Sequence, residues 1–219
     1  MFTNRQIKDQ LFGQVALLTK AIASPKRLEI IELLAQAPKT VEQLAEETEI
    51  SIALVSAHLK ALKSANCVTV SHEGKYRRYA LANQQIEQLW VILHRLASQQ
   101  IPALQQQIHD LSPHREMSIA SVDQLIQLAE TNAIQLIDVR PEREYEHTHL
   151  PHAISIPITE LEKKHTQLDK EKPVIAYCRG PFCLYARDAV DWLIKQGFTA
   201  TQWQDGVSEY VNPLVDTKG

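Results

Sequence analysis

Three cysteines, no apolar run of membrane length and no leader-like start are what this chain lacks or nearly lacks. An odd number of cysteines in 219 residues does not make the disulfide framework of a small secreted domain. No apolar run approaches the roughly 20 residues that a membrane span needs. The opening "MFTNRQIKDQLFGQ" has no basic-then-apolar signal pattern. The expected location is a reducing cytoplasm, with no membrane partner. The composition, 44% hydrophobic and 22% charged, is that of an ordinary globular protein, long enough for two domains of about 100 residues each. The net charge of −3 divides unevenly, about +3 over residues 1–98 and about −6 over residues 99–219, which suggests a different partner for each half.

The first half reads as helices with one β-hairpin. Leu28, Ile31, Leu34 and Ala35 recur at helical spacing. Thr40-Val41-Glu42-Gln43 has the form of a capping box and opens a short helix. Ser51 caps a longer one, "IALVSAHLKALKSAN", whose Ile52, Val55, Leu59 and Leu62 share a face. A short helix, a tight turn and a longer helix make a helix-turn-helix. "CVTVSHEGKYRRYAL" then alternates as two strands around a Gly-containing turn, giving the hairpin of a winged helix. Lys75, Arg77 and Arg78 on that hairpin are placed to meet phosphates, although a solvated hairpin would carry the same charges.

"PKRLEIIELL", "VEQLA", the S-x-x-x-x-S-x-H-L-K-x-L helix and "EGKYRRYAL" together resemble the ArsR-type winged-helix repressors. The resemblance implies a homodimer whose recognition helices enter successive major grooves of an operator, paired through the first and last helices. "TNRQIKDQLFGQVALLTKAIA" and "QQIEQLWVILHRLASQQIPALQQQIHDL" are the candidate pairing helices, with Ile86, Leu89, Ile92, Leu93 and Leu96 as an apolar stripe in the second. Ser51, Ser56, His58 and Lys60 match DNA-facing positions, with a core-edge histidine as the other reading of His58. Leu54 and Val55 stand where polar residues are frequent, leaving contact with a thymine methyl. The short helix "TVEQLAEE" lacks the cysteines of metal-sensing relatives, and Cys67 is expected to pack.

After the polar linker "IHDLSPHREMSIA", Ser121-Val122-Asp123-Gln124 opens a helix with a capping-box pattern. "AIQLIDV", "AISIPI", "PVIAYC" and "TATQW" read as strands, alternating with helices at "PEREYEHT", "TELEKKHTQL" and "LYARDAVDWLIKQG". The alternation predicts a parallel sheet with helices on both faces. Ligands of such sheets bind beyond the carboxyl ends of the strands, where Cys178 ends one strand and "RGPF" leads to the next helix. Inward-pointing loop amides, a helix N-terminus and Arg179 would lower a thiol pKa there and cradle an oxyanion. The C-x5-R loop of a cysteine phosphatase would need arginine where Leu184 stands. C-x4-C is a poor half-site for zinc, although "HTHLPH" supplies histidines nearby. Neither a metal nor a cofactor is assigned.

"LIDVRPEREYEHTHLPHAISIP", matching at Asp138, Arg140, Glu144, Tyr145, His149, Ala153 and Pro157, is similar to the rhodanese signature, as are "PVIAYC" and "GFTATQWQDGVSEY". Two signature glycines are replaced by Thr148 and His152, so those turns are expected to differ, and Asp205 replaces the glycine beside Gly206. The resemblance implies sulfane-sulfur transfer through a Cys178 persulfide, from thiosulfate or a persulfide donor to an acceptor thiol or cyanide. Arg179 would bind the oxyanion while Asp138 and Arg140 brace the loop. Cys183 is either a resolving thiol or a small residue at the first helical turn. The expected organisation is a mainly-α winged-helix DNA-binding and dimerisation domain over 1–98, a helix extension and linker over 99–116, and an α/β rhodanese domain over 117–219. Three functions fit that organisation. The chain is a repressor that senses or delivers sulfane sulfur, a sulfurtransferase with the winged helix as a dimerising or localising module, or a silent rhodanese scaffold. Retention of Cys178 and Arg179 speaks against the third, and the complete winged helix favours the first.

Overall fold

The computed structural model describes residues 3–74, 76–111 and 119–213. They form two compact units that divide between Trp90 and Val91. The first opens with α1 (Asn4–Ile22), closed at its start by a reciprocal capping box between Thr3 and Gln6. α2 (Pro25–Gln36) starts on a proline, whose missing N–H costs nothing in a first turn. The two-residue β1 (Lys39–Thr40) leads into α3 (Val41–Thr48), and the expected Thr40–Gln43 box is present in both directions. Glu49 turns left-handed to end α3, and Ser51 caps α4 (Ile52–Ser64) by accepting from the Leu54 amide. β2 (Val68–Glu73) and β3 (Tyr76–Leu81) pair antiparallel, with β1 on the far edge of β3.

Ile30, Leu44, Val55, Leu59, Leu62 and Cys67 are fully buried and form the centre of this unit. Ile52 departs from the expected stripe. It lies in the first turn of α4 and stays 53% exposed, so the buried face starts one turn later. Val55, read both as part of that stripe and as a DNA-facing position, is buried with Leu59 and Leu62, whereas Leu54 is exposed.

α5 (Gln84–Gln100) begins in the first unit and ends in the second. The single long helix expected from residue 84 to 111 is broken, and α6 (Pro102–Asp110) follows as a separate element. Pro102 has no amide to donate and forces Ile101 into an extended conformation, which stops the first helix. Ile92 and Leu96 of α5 are exposed, as are Ile7, Leu11, Phe12 and Val15 of α1.

The second unit is a parallel sheet in the order β5-β4-β6-β7, with β4 (Gln135–Asp138), β5 (Ile154–Ser155), β6 (Val174–Tyr177) and β7 (Ala200–Gln202). Both faces are covered, as parallel sheets require. Side chains alternate by period two. Ile137, Val174, Ala176 and Cys178 enter one core cluster with Ala186, Ala189, Val190 and Leu193 of α10 (Tyr185–Lys195). Leu136, Ile175 and Tyr177 enter the other, with Leu125 of α7 (Val122–Glu130) and Val207 of α11 (Val207–Val211). Ser121 caps α7 through the Gln124 amide. The returning Gln124 oxygen accepts from Ala120 rather than from Ser121, so the box is displaced by one residue.

α8 (Glu142–His147) follows β4 as expected. "TELEKKHTQL" is not one helix but α9 (Leu161–Lys164) between two short 3-10 turns. His152 takes φ +62°, a left-handed conformation that a glycine would adopt without strain. The turn at 152 therefore keeps a glycine-like backbone despite the substitution.

Candidate functional site

β6 delivers Cys178 to the carboxyl end of the sheet, where it is 2% exposed. Its neighbours hold it by three means. Gly206, just before α11, sits so close that a Cβ there would lie 2.4 Å from the Arg179 carbonyl carbon and oxygen. It would also lie 2.9 Å from the Cys178 carbonyl oxygen, so backbone packs on backbone and only glycine fits. Gly180 takes φ +143°, and the Cys183 amide donates back to its carbonyl at 3.1 Å, closing a turn. The third is covalent. Cys183 is disulfide-bonded to Cys178 across a Cα separation of 6.2 Å.

Beneath the loop lie two buried arginine–carboxylate pairs. Arg140 and Asp138 are both fully buried, with Nη2–Oδ2 at 2.6 Å and Nε–Oδ1 at 3.0 Å. Arg140 also donates to the Thr148 carbonyl at 2.7 Å and stands over the Tyr177 ring. Burial works against its charge, but the hydrogen bond and charge of Asp138 outweigh that, and its pKa lies above the ordinary value. The Tyr177 phenol is pushed up by burial and then by Asp138, and its oxygen accepts from the Leu150 amide. Tyr177 therefore stays neutral and serves as a fixed strut. Asp138 and Arg140 thus hold each other and the Thr148 carbonyl in place beneath the loop.

Arg179, expected to bind the oxyanion, is engaged by a carboxylate. Its guanidinium forks onto Glu144, Nε–Oε2 at 2.9 Å and Nη2–Oε1 at 2.6 Å, with side chains 7% and 1% exposed. It also stands over the Tyr185 ring. This pair ties the loop to α8. Glu144 was visible only as one matching position, because the sequence does not say which cation it would meet.

Glu209 and His94 were missed altogether. Glu209 is buried, and its Oε2 accepts from the Gly206 amide at 2.7 Å. Its Oε1 lies 2.9 Å from Nε2 of the buried His94 on α5. The one available signal was the spacing of Gly206 and Glu209, three residues apart as in a capping box. In "HTHLPH", His149 stacks on Tyr145 and its Nδ1 lies 2.9 Å from the Tyr145 carbonyl oxygen. Among the described residues no group of three or more His, Cys, Asp or Glu could hold a metal ion. No helix among them is long and apolar enough to cross a membrane.

In the first unit, Ser56 and Lys60 are exposed on α4 and His58 is half-buried. The Ser51 hydroxyl is exposed but already serves as the cap. On the wing, Arg77 is exposed, Arg78 is paired with Glu73, and Lys75 lies outside the described residues.

A winged helix-turn-helix followed by a rhodanese-like α/β unit is the class that these two folds define. The family model "Bacterial regulatory protein, arsR family" matches residues 24–70, and "Rhodanese-like domain" matches residues 121–211. The HTH-type transcriptional regulator Rv0324 of Mycobacterium tuberculosis is 34% identical over 93% of this chain and 89% of its own length. The chain belongs to this family of ArsR-type transcriptional regulators that carry a C-terminal rhodanese domain. The thiosulfate sulfurtransferase GlpE of Coxiella burnetii is 31% identical over 33% of this chain and 65% of its own. Among solved structures, the homodimeric winged helix-turn-helix DNA-binding domain of Mb0332 from Mycobacterium bovis is 34% identical. It covers 46% of this chain and 92% of its own, with a TM-score of 0.42.

Proposed function

We propose that this protein is a homodimeric DNA-binding repressor whose rhodanese unit registers sulfane sulfur at Cys178. The observation that carries the reading is the bond between Cys178 and Cys183 in a loop built to hold a reactive cysteine. Reduced Cys178 attacks the outer sulfur of thiosulfate, the S–S bond breaks, sulfite leaves, and Cys178 carries a persulfide. The Cys183 thiolate then attacks the Cys178 sulfur and expels hydrosulfide, leaving the disulfide. A persulfide donor serves equally, with its own thiol as the first leaving group. A dithiol reductant returns the protein to its starting state.

Dimerisation is supported by the apolar faces that α1 and α5 leave exposed, including Ile7, Leu11, Phe12 and Val15 in one and Ile92 and Leu96 in the other. The exposure of Ser56, Lys60 and Arg77 supports phosphate or base contacts by these residues, and that of Leu54 and Ile52 supports contacts with thymine methyls. The repressor sense and the operator contacts follow the ArsR resemblance.

The test measures binding to a duplex selected from a random library on the reduced protein, at several salt concentrations. It is repeated after thiosulfate or persulfide treatment and with Cys178→Ser. The treated protein is expected to change affinity and the variant to ignore treatment. Robust sulfite release with no change in DNA affinity would favour the second reading, a sulfurtransferase that uses its winged helix to dimerise or localise. Arg77→Ala should lower the salt slope by about one per protomer, about two for the dimer.

A further inference from the structure

Glu209 and His94 take no part in the sulfur chemistry, yet they stand between the cysteine loop and α5. Resting on the reading just given, we propose that the His94–Glu209 pair conveys the state of the Cys178–Cys183 bond to α5. The pair meets the loop at two points. A Cβ on Gly180 would lie 3.3 Å from Glu209 Oε1, so the Gly180 backbone lies close against that carboxylate. The Phe182 ring meets the His94 ring edge-on, with centroids 5.8 Å apart. Gly180 and Phe182 both lie inside the loop that the disulfide closes.

The other side of the pair is anchored. Glu209 holds the Gly206 amide, and Gly206 abuts the carbonyls of Cys178 and Arg179. His94 is buried within α5, where its own carbonyl accepts from Ser98 at 2.7 Å. The next residue along α5, Arg95, reaches Asp205 at 3.4 Å. The loop and α5 are thus joined by a short chain of contacts centred on the buried His94–Glu209 pair, which has little freedom to absorb a displacement.

Breaking the bridge frees Cys183 and with it the ring of Phe182. His94 then loses its edge contact while Glu209 keeps its hold on Gly206, and α5 changes its packing at His94. α5 is continuous with Gln84, three residues after the wing strand β3, so a shift or loosening of α5 is carried along the chain toward the winged helix. Glu209 and His94 are positioning residues, acting through the loop and the helix rather than on sulfur.

The experiment uses the full chain in its oxidised and dithiothreitol-reduced states, with Phe182→Leu and His94→Leu as variants. Amide hydrogen exchange over residues 91–100 reads α5, thiol alkylation with mass spectrometry reads the bridge, and anisotropy reads DNA affinity. In the wild type, reduction is expected to change exchange over 91–100 by about fivefold or more, in the range of ordinary coupling. Both variants should form and reduce the bridge normally while that change falls below about twofold. Phe182→Leu keeps the inference open to refutation if His94→Leu folds poorly. Wild-type exchange over 91–100 that ignores reduction overturns the inference, as does a full response in Phe182→Leu. An exchange response without any change in DNA affinity leaves the relay standing and removes the regulatory reading instead.

Discussion

Replacing Glu144 by glutamine isolates what holds the cysteine loop down. The variant keeps the shape of the side chain but removes the carboxylate charge that the Arg179 guanidinium meets, with that guanidinium's side chain only 7% exposed. Two charges about 4 Å apart at an effective dielectric of about 20 interact by about 4 kcal/mol. Breaking a buried pair on one side costs about 3–5 kcal/mol. The glutamine oxygen still accepts one hydrogen bond, so about 3 kcal/mol is expected. For a unit of this size that lowers Tm by about 12 °C, at about 4 °C per kcal/mol.

Urea unfolding followed by Trp192 and Trp203 fluorescence, in a Trp90→Phe background, measures the loss. It is run separately on the oxidised and reduced protein so that the bridge does not enter the difference. Replacing both partners, Glu144→Met with Arg179→Met, should recover most of the loss, since an apolar pair leaves no buried charge. A loss under about 1 kcal/mol in Glu144→Gln, together with a large rise in KM for thiosulfate in Arg179→Met, would refute the bracing role. Arg179 would then be an oxyanion ligand after all.

Gly206→Ala forces a Cβ against the Cys178 and Arg179 carbonyls, which are backbone and cannot turn aside. It should cost about 1–3 kcal/mol or more by urea unfolding and slow bridge formation measured by alkylation. His152→Gly relieves a left-handed backbone and should stabilise the second unit by about 0.5–1 kcal/mol, read from its Tm. Cys67 is fully buried and burial raises its thiol pKa, so the native oxidised protein should show no thiol reacting with a maleimide at pH 7 until urea is added. As pH rises past the ordinary thiol value, the unfolded chain loses that proton first, so stability should fall there and Cys67→Ala should remove that part of the slope.

The architecture was legible because both halves repeat simple periodicities. Alternation along "PVIAYC" assigns Val174, Ala176 and Cys178 to one face and Ile175 and Tyr177 to the other, as found. Caps at Thr40 and Ser51 were legible for the same local reason. What failed depended on partners far along the chain. The countercharge of Arg179 was not legible, since only the fold brings Glu144 to it from 35 residues away. His94 and Glu209 stand on separate elements with no shared motif. Pro102 was visible but was read through, although its steric effect on Ile101 was enough to end α5.

The position of Cys183 decides between recording and turnover in the proposed chemistry. A sulfurtransferase needs its persulfide to wait, exposed, for an external acceptor. Here a second thiol stands five residues away on the same tight loop, with its Cα 6.2 Å from that of Cys178. Such a tethered group acts at an effective concentration well above that of a diffusing thiol. The internal attack therefore wins, and each donor molecule yields one hydrosulfide and one bridge. In the bridged form Cys178 is 2% exposed and has no thiolate, so a second donor finds nothing to react with. Chemistry halts after one event until a reductant reopens the loop. On the proposed chemistry such a loop would measure the balance between sulfane sulfur and reducing thiols, which is the behaviour a transcriptional regulator needs and a detoxifying enzyme does not.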